Sequence, residues 1–174
     1  MVADDPAAAQ RMVARLAELL RHALDERNAA EVPLWRELEI AGSYVAIEQV
    51  RFGDRLTVAV DVPSAARQAL VPGLLLQPLL ENAIGHGVER LPEGGTVTVQ
   101  GRTVGEAVEI EVSNPVPPEP RPARSGHRIA LDNIRQRLEL AYPGRSAVEV
   151  DDGGGTFRVR LRFPLVLDET AGPP

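Results

Sequence analysis

The hydrophobic pattern changes period several times along the chain, and each change marks an element. After Asp4-Asp5-Pro6, an acidic cap followed by a proline in the first turn, Val13, Leu16, Leu20 and Leu24 recur at helical spacing, with Leu19 beside them. Arg11, Arg15, Arg21 and Arg27 lie off that stripe. The spacing predicts an amphipathic helix that needs a partner to bury its apolar side. Asn28-Ala29-Ala30 loosens the pattern, and a second helix is predicted from about Leu34 to Arg51, with Leu38, Ala41, Val45 and Glu48 on one side. Gly53-Asp54 turns the chain. Leu56, Val58, Val60 and Val62 then alternate with Thr57, Ala59 and Asp61, the period of a half-buried strand.

Val71-Pro72 opens the most apolar helix of the chain, through Leu75, Leu76, Leu79, Leu80, Ala83 and Ile84 to Gly87. A hairpin follows, Val97 and Val99 on one strand and Val108, Ile110 and Val112 on the other, turning at Gly105-Glu106. The stretch from Asn114 to Gly126 holds five prolines and two arginines and reads as a loop. Leu131, Ile134, Leu138 and Ala141 mark another helix, stopped by Pro143-Gly144. Val148 and Val150 give a short strand. Phe157, Val159, Leu161 and Phe163 against Arg158, Arg160 and Arg162 give the clearest one. Five one-sided strands interrupted by helices imply an α/β chain: a two-layer sandwich with a mostly antiparallel sheet, helices on one face, and an additional N-terminal helix. The segment after Pro164 is expected to fray.

Composition narrows the chemistry. There is no cysteine, which excludes disulfides, thiol nucleophiles and cysteine zinc sites. There is no lysine either: all 19 basic residues are arginine, which excludes a Walker-type phosphate loop and Schiff-base catalysis. The net charge of −6 disfavours nucleic acid as a partner. The longest apolar run, Leu70 to Leu80, is interrupted by Pro72, Gly73, Gln77 and Pro78, and no basic-then-apolar block opens the chain. The expectation is a soluble, cytoplasmic segment without membrane contact of its own.

Gln77, Glu81, Asn82 and His86 stand out as polar residues within an apolar helix, with Asn82 and His86 four apart on one face. One reading is that they hydrogen-bond to neighbouring backbone or water. The other comes from a wider match. Leu74-Leu75-Leu76-Gln77-Pro78-Leu79-Leu80-Glu81-Asn82-Ala83-Ile84-Gly85-His86-Gly87 resembles the N box of LytS/AlgZ-type sensor histidine kinases, members of the superfamily of gyrase, Hsp90, histidine kinases and MutL. Ala130-Leu131-Asp132-Asn133-Ile134-Arg135-Gln136-Arg137-Leu138 and Ala141-Tyr142 resemble the helix after that family's glycine box. Leu19-Leu20-Arg21 and Glu48-Gln49-Val50-Arg51-Phe52-Gly53 match upstream. The resemblance runs from about Pro6 to Pro164.

The resemblance implies a Bergerat-type sandwich binding ATP and Mg²⁺ between the N-box helix and a mobile lid, the segment Asn114 to Gly126. It implies that Asn82 holds Mg²⁺, with Glu81 beside it orienting metal-bound water and His86 near the phosphates or capping the helix end, these three forming the catalytic set. An amide oxygen is a hard, neutral ligand suited to a cation already neutralised by phosphate. Gly87, Ser113, Asn114, Gly126, His127, Arg128, Leu131 and Asn133 would complete the nucleotide site, with backbone N–H groups after Gly126 at the phosphates. The γ-phosphoryl would pass to a histidine on a helix outside this chain. Residues 1–30 would be part of the second dimerisation helix, 31–165 the catalytic domain, and 166–174 a flexible tail. Expected partners are the acceptor helix, a response regulator and a second copy of the chain, in a parent protein anchored to the inner membrane.

Three departures from the family pattern stand in the sequence. The adenine box, usually Asp-x-Gly-x-Gly, reads Ser113-Asn114-Pro115-Val116-Pro117, with Ser113 aligned to the Asp. The glycine box keeps Gly126 but has Arg128 and Ala130. His127 and Arg128 either supply charge there or form a solvated helix start. Gly85 replaces the usual basic residue of the N box. Pro78, four before Asn82, occupies the place of the general-base Glu of hydrolytic relatives, which fits a kinase better than an ATPase. His22 lacks the acceptor motif His-x-x-Phe-Asn and reads as a helix-packing or surface histidine. A degenerate scaffold that binds little nucleotide and docks a regulator or partner kinase is the alternative.

Overall fold

The computed structural model describes residues 31–117 and 125–167, with the backbone alone for 125–128. The proposed dimerisation segment, His22, the middle of the expected lid and the last seven residues lie outside the described residues. In chain order the elements are β1 (Val32–Pro33), α1 (Leu34–Phe52), β2 (Leu56–Asp61), α2 (Ser64–Arg67), β3 (Leu70–Val71), α3 (Leu76–His86), β4 (Gly95–Val104), β5 (Ala107–Pro115), α4 (Ser125–Ala141), β6 (Ala147–Gly153) and β7 (Thr156–Pro164).

Five strands form one sheet in the order β2-β4-β5-β7-β6. Only β2 and β4 run parallel, with Val58 opposite Val97 and Val60 opposite Val99. The other neighbours are antiparallel: Val99 faces Val112, Ile110 faces Leu161, and Val150 faces Val159. Period-two alternation sends Val97, Val99, Val108, Ile110, Val112, Val159, Leu161 and Phe163 into one core. There they meet Leu34, Ala41 and Val45 of α1, Leu76, Leu79, Leu80, Ala83 and Ile84 of α3, and Leu131, Ile134 and Leu138 of α4. Each such side chain contributes roughly 1.5–3 kcal/mol by leaving water. The other face of the sheet stays wet. Arg160 pairs there with Glu111 at 2.7 Å and Glu149 at 3.3 Å, Arg158 with Asp151 at 3.0 Å, and Arg102 with Glu109. Exposed pairs of this kind add little stability each; they keep the open face polar.

The apolar stretch expected to be helical from Val71 becomes helix only at Leu76. Leu70–Val71 instead pairs with Val32–Pro33 as a separate two-stranded ribbon. Pro72 disfavours helical backbone at the residue before it, and Leu74 takes a φ of 57°. α2, with 4 residues, is too short to show a helical period. The last helix begins at Ser125, six residues before Leu131, the first core residue among those of its side chains that are described. Past β7 the chain stays attached. Leu165 N–H donates to Glu106 at 2.8 Å, Leu70 N–H to Val166 at 2.7 Å, and Leu167 bridges Ala69. Gly94, at φ 77°, lets the start of β4 lie against β2: a Cβ there would stand 2.0 Å from the Arg55 carbonyl oxygen. No helix among the described residues is long and apolar enough to cross a membrane.

Candidate functional site

The site is built around α3. Its apolar positions face the core, which leaves Glu81 exposed and Asn82 and His86 half-buried along one edge. Gln77 Nε2 donates to Glu81 Oε1 at 2.9 Å, one turn apart on the surface. Asn82 differs: its Nδ2 is shut off from solvent and has no hydrogen-bond partner. Among the described residues, Glu48 Oε2 shares that status, but it has Arg51 at 3.0 Å to offset its charge. An unmatched buried amide costs about 1–3 kcal/mol. Of the two kinds of partner expected for such a side chain, neighbouring backbone or water, backbone does not serve Asn82 Nδ2.

What holds α3 in place was not read from the sequence. The first turn of a helix has N–H groups without intrahelical partners, and the residue preceding α3, Leu75, offers no capping side chain. Glu37 of α1 supplies one instead. Its carboxylate accepts from the backbone N–H of Leu74 at 2.7 Å, Leu75 at 2.6 Å and Leu76 at 2.9 Å. Glu37 is 1% exposed. The signal was available: Glu37 sits three after Leu34 and three before Ile40, on the apolar stripe of α1, where a carboxylate needs strong partners.

The other end of α3 meets β5. Alternation along β5 separates the two adenine-box candidates. Asn114 faces the helices and is 3% exposed, while Ser113, paired between Thr98 and Arg158, has the opposite orientation. Asn114 Nδ2 donates to Pro115 O at 2.9 Å. Gly87 makes this approach possible: a Cβ there would lie 2.1 Å from Asn114 Nδ2, 2.5 Å from Ala83 O and 2.8 Å from Pro115 O. The structure thus brings Asn82, His86, Gly87 and Asn114 to one end of the molecule. Leu131 is a core residue packed with Ile134 and Leu138, and Asn133 is exposed. Gly126, His127 and Arg128 fall in the first turn of α4, whose leading N–H groups have no intrahelical acceptor.

The edge between α1 and α3 is electronegative. The Tyr44 hydroxyl is pushed well above its ordinary pKa, first by burial and then by the carboxylates of Glu48, Glu81 and Glu89, with Arg51 opposing. Arg51 also reaches Glu89 at 3.4 Å, tying α1 to the turn after α3. Among the described residues no group of three or more His, Asp or Glu is arranged to hold a metal ion. A cation at Asn82 would therefore draw most of its ligands from a bound molecule. Open depressions lie elsewhere. One of about 730 Å³ runs between the exposed face of α4 and β6, lined by Arg135, Gln136, Glu139, Leu140 and Val148. None of the candidate residues lines it.

The fold defined by this sheet and its helical layer is that of histidine-kinase catalytic domains. The histidine kinase domain of the Erythrobacter litoralis EL346 blue-light activated histidine kinase superposes with a TM-score of 0.56 at 20% identity, over 91% of this chain and 75% of that one. A family model described as "Histidine kinase" matches residues 1–56. The chain is 34% identical over 146 residues to the sensor histidine kinase YpdA of Escherichia coli K12, covering 79% of this chain. It is 26% identical over 182 residues to the sensor protein LytS of Enterococcus faecalis, covering 97%. The chain belongs to the sensor histidine kinase family, with LytS among its relatives. It spans 26% of the length of YpdA and 31% of that of LytS.

Proposed function

We propose that this chain binds Mg-ATP at the edge of α3 and donates the γ-phosphoryl to a histidine outside the chain. The observation that carries the proposal is the half-buried Asn82, its amide nitrogen enclosed and unpartnered, on the N-box helix of a histidine-kinase fold. The two ends of an amide are assigned from their hydrogen bonds. Only the nitrogen of Asn82 is enclosed and unpaired; its oxygen is the atom that would meet a cation. Mg²⁺, when bound, would neutralise charge on the phosphate oxygens.

The remaining roles are assigned from the family resemblance. Glu81, exposed next to Asn82, would orient water around a bound cation, and His86 and Gly87 would border the phosphates. Asn114, pointing inward against Gly87, takes the adenine end in place of a carboxylate. Its Nδ2 is committed to Pro115 O, which leaves its oxygen to accept from an amino group. The first turn of α4, with Gly126, His127 and Arg128, presents N–H groups and the positive end of the helix dipole to phosphate. In the transfer the bond from γ-phosphorus to the β,γ-bridging oxygen breaks, a P–N bond to imidazole forms, and ADP leaves. Catalysis of this kind is mostly positioning and charge stabilisation. We further propose that residues 1–30 belong to a dimerisation helix, that the parent protein is anchored in the inner membrane with this segment in the cytoplasm, and that a response regulator receives the phosphoryl group.

The degenerate-scaffold reading has its own support in Pro115 and Pro117, which stand where the family pattern has glycines. One experiment separates the two. The chain is incubated with a separate acceptor-helix fragment, Mg²⁺ and ATP labelled at the γ position. Acid-labile, base-stable label on the acceptor, lost with Asn82→Ala, is the outcome expected of a kinase. A chain that binds no nucleotide at millimolar concentration would leave the scaffold reading.

A further inference from the structure

We infer that Glu37 is a positioning residue for the metal-binding end of the site: its carboxylate, reaching from α1, fixes where α3 begins and so where the Asn82 amide sits. The inference rests on the reading of Asn82 given above. α3 is a short helix of 11 residues, preceded by Leu74 at φ 57°. Backbone in that region is unfavourable for leucine and persists only when its surroundings impose it. Three consecutive N–H groups, those of Leu74, Leu75 and Leu76, converge on the two oxygens of one carboxylate. Pro78, in the same turn, has no N–H to satisfy. Glu37 thus meets the N–H groups of the cap residue Leu75, of the first helical residue Leu76 and of Leu74 before them.

The consequence for the site is geometric. Successive residues of an α-helix are rotated by about 100° and rise about 1.5 Å. A helix that began one residue later or earlier would swing Asn82 from the site edge into the core or toward solvent. The segment before α3 is clamped from other sides as well: Arg137 of α4 donates to Gly73 O, and Tyr142 OH to Leu70 O at 2.6 Å. Among these groups Glu37 alone touches the helix itself. It stands one turn inside α1, the first helix among the described residues, so it couples α1 to the start of α3, beside the shared core and the Arg51–Glu89 pair that also join them.

A cap that merely stabilised the fold would affect both ends of the nucleotide site alike. Positioning of α3 affects the metal end, at Asn82, more than the base end, on β5. The readout is therefore the ratio of ATP affinity with Mg²⁺ to that with EDTA, measured for the wild-type chain, Glu37→Gln and Glu37→Asp, each first shown to be folded by circular dichroism. Expected for Glu37→Gln is a drop of that ratio by about tenfold with Mg-free affinity changed less than twofold, and a partial return of the ratio in Glu37→Asp, which keeps the charge. Amide exchange at Leu74 to Leu76 is expected to quicken by about tenfold in Glu37→Gln. An unchanged ratio in folded Glu37→Gln, equal losses with and without Mg²⁺, or unaltered protection of those three amides would each overturn the inference. A wild-type chain with no Mg²⁺-dependent affinity would instead overturn the reading of Asn82, and this inference with it.

Discussion

Replacing Gly87 with alanine tests the junction on which the candidate site depends. The new methyl group would lie 2.1 Å from Asn114 Nδ2, 2.5 Å from Ala83 O and 2.8 Å from Pro115 O. The Asn114 amide could rotate away, but the two carbonyls are backbone. Ala83 O already accepts the Gly87 N–H at 3.1 Å, so moving it costs the bond that ends α3. Overpacking of this kind costs about 1–3 kcal/mol, and the blocked backbone atoms place Gly87→Ala at the upper end, about 3 kcal/mol. For a domain of this size that lowers the melting temperature by roughly 10 °C. The control lies two residues away. A Cβ on Gly85 meets only Glu89 Oε2, at 3.8 Å. Alanine within a helix is favoured over glycine by roughly 0.5–1 kcal/mol, so Gly85→Ala should stabilise. Urea denaturation of the two variants beside the wild-type chain reads both signs. A Gly87→Ala variant as stable as wild type would mean that α3 and β5 do not meet as described.

Other outcomes follow from single contacts. Tyr142→Phe removes the hydroxyl bond to Leu70 O, 2.6 Å long, and should cost about 1 kcal/mol in urea denaturation; no loss would show that water replaces it. Both tyrosines of the chain are held protonated, Tyr142 first by burial and then by Glu31, and Tyr44 first by burial and then by Glu48. Their folded values lie above the ordinary phenol value of about 10. The resulting stabilisation is intact below that pH and is lost as pH rises through the folded values, because the unfolded chain gives up these protons first. Absorbance at about 295 nm should show no phenolate near pH 10 in the folded chain; ionisation at the ordinary value would contradict the burial of Tyr142 and the partial burial of Tyr44 beside its carboxylates.

Much of the architecture was legible because period-two and helical patterns are dictated by which face is buried. The alternation in Phe157–Phe163 and Val108–Val112 survives in the sheet residue for residue. The start of α3 was not legible in the same way. Leu70, Val71, Leu74 and Leu75 are apolar whether they form helix or ribbon, and the choice fell to Pro72, the pairing with Val32–Pro33, and Glu37 from another helix. The candidate site divides likewise. Glu81, Asn82 and His86 could be picked out as polar residues in an apolar run. Glu37 could have been noticed on its stripe, but its partners come from 37 to 39 residues away. The aligned motif put Ser113 in the place of the adenine-binding Asp, whereas the strand register decides that Asn114 faces α3.

The measurement that bears most directly on the central claim is calorimetric titration of ATP into the wild-type chain and Asn82→Ala, each with Mg²⁺ and with EDTA. The account predicts that the wild-type chain binds ATP more tightly with Mg²⁺ than without, and that Asn82→Ala erases this difference while remaining folded. Equal Mg²⁺ enhancement in the two chains would show that the enclosed amide of Asn82 has no part in holding the metal.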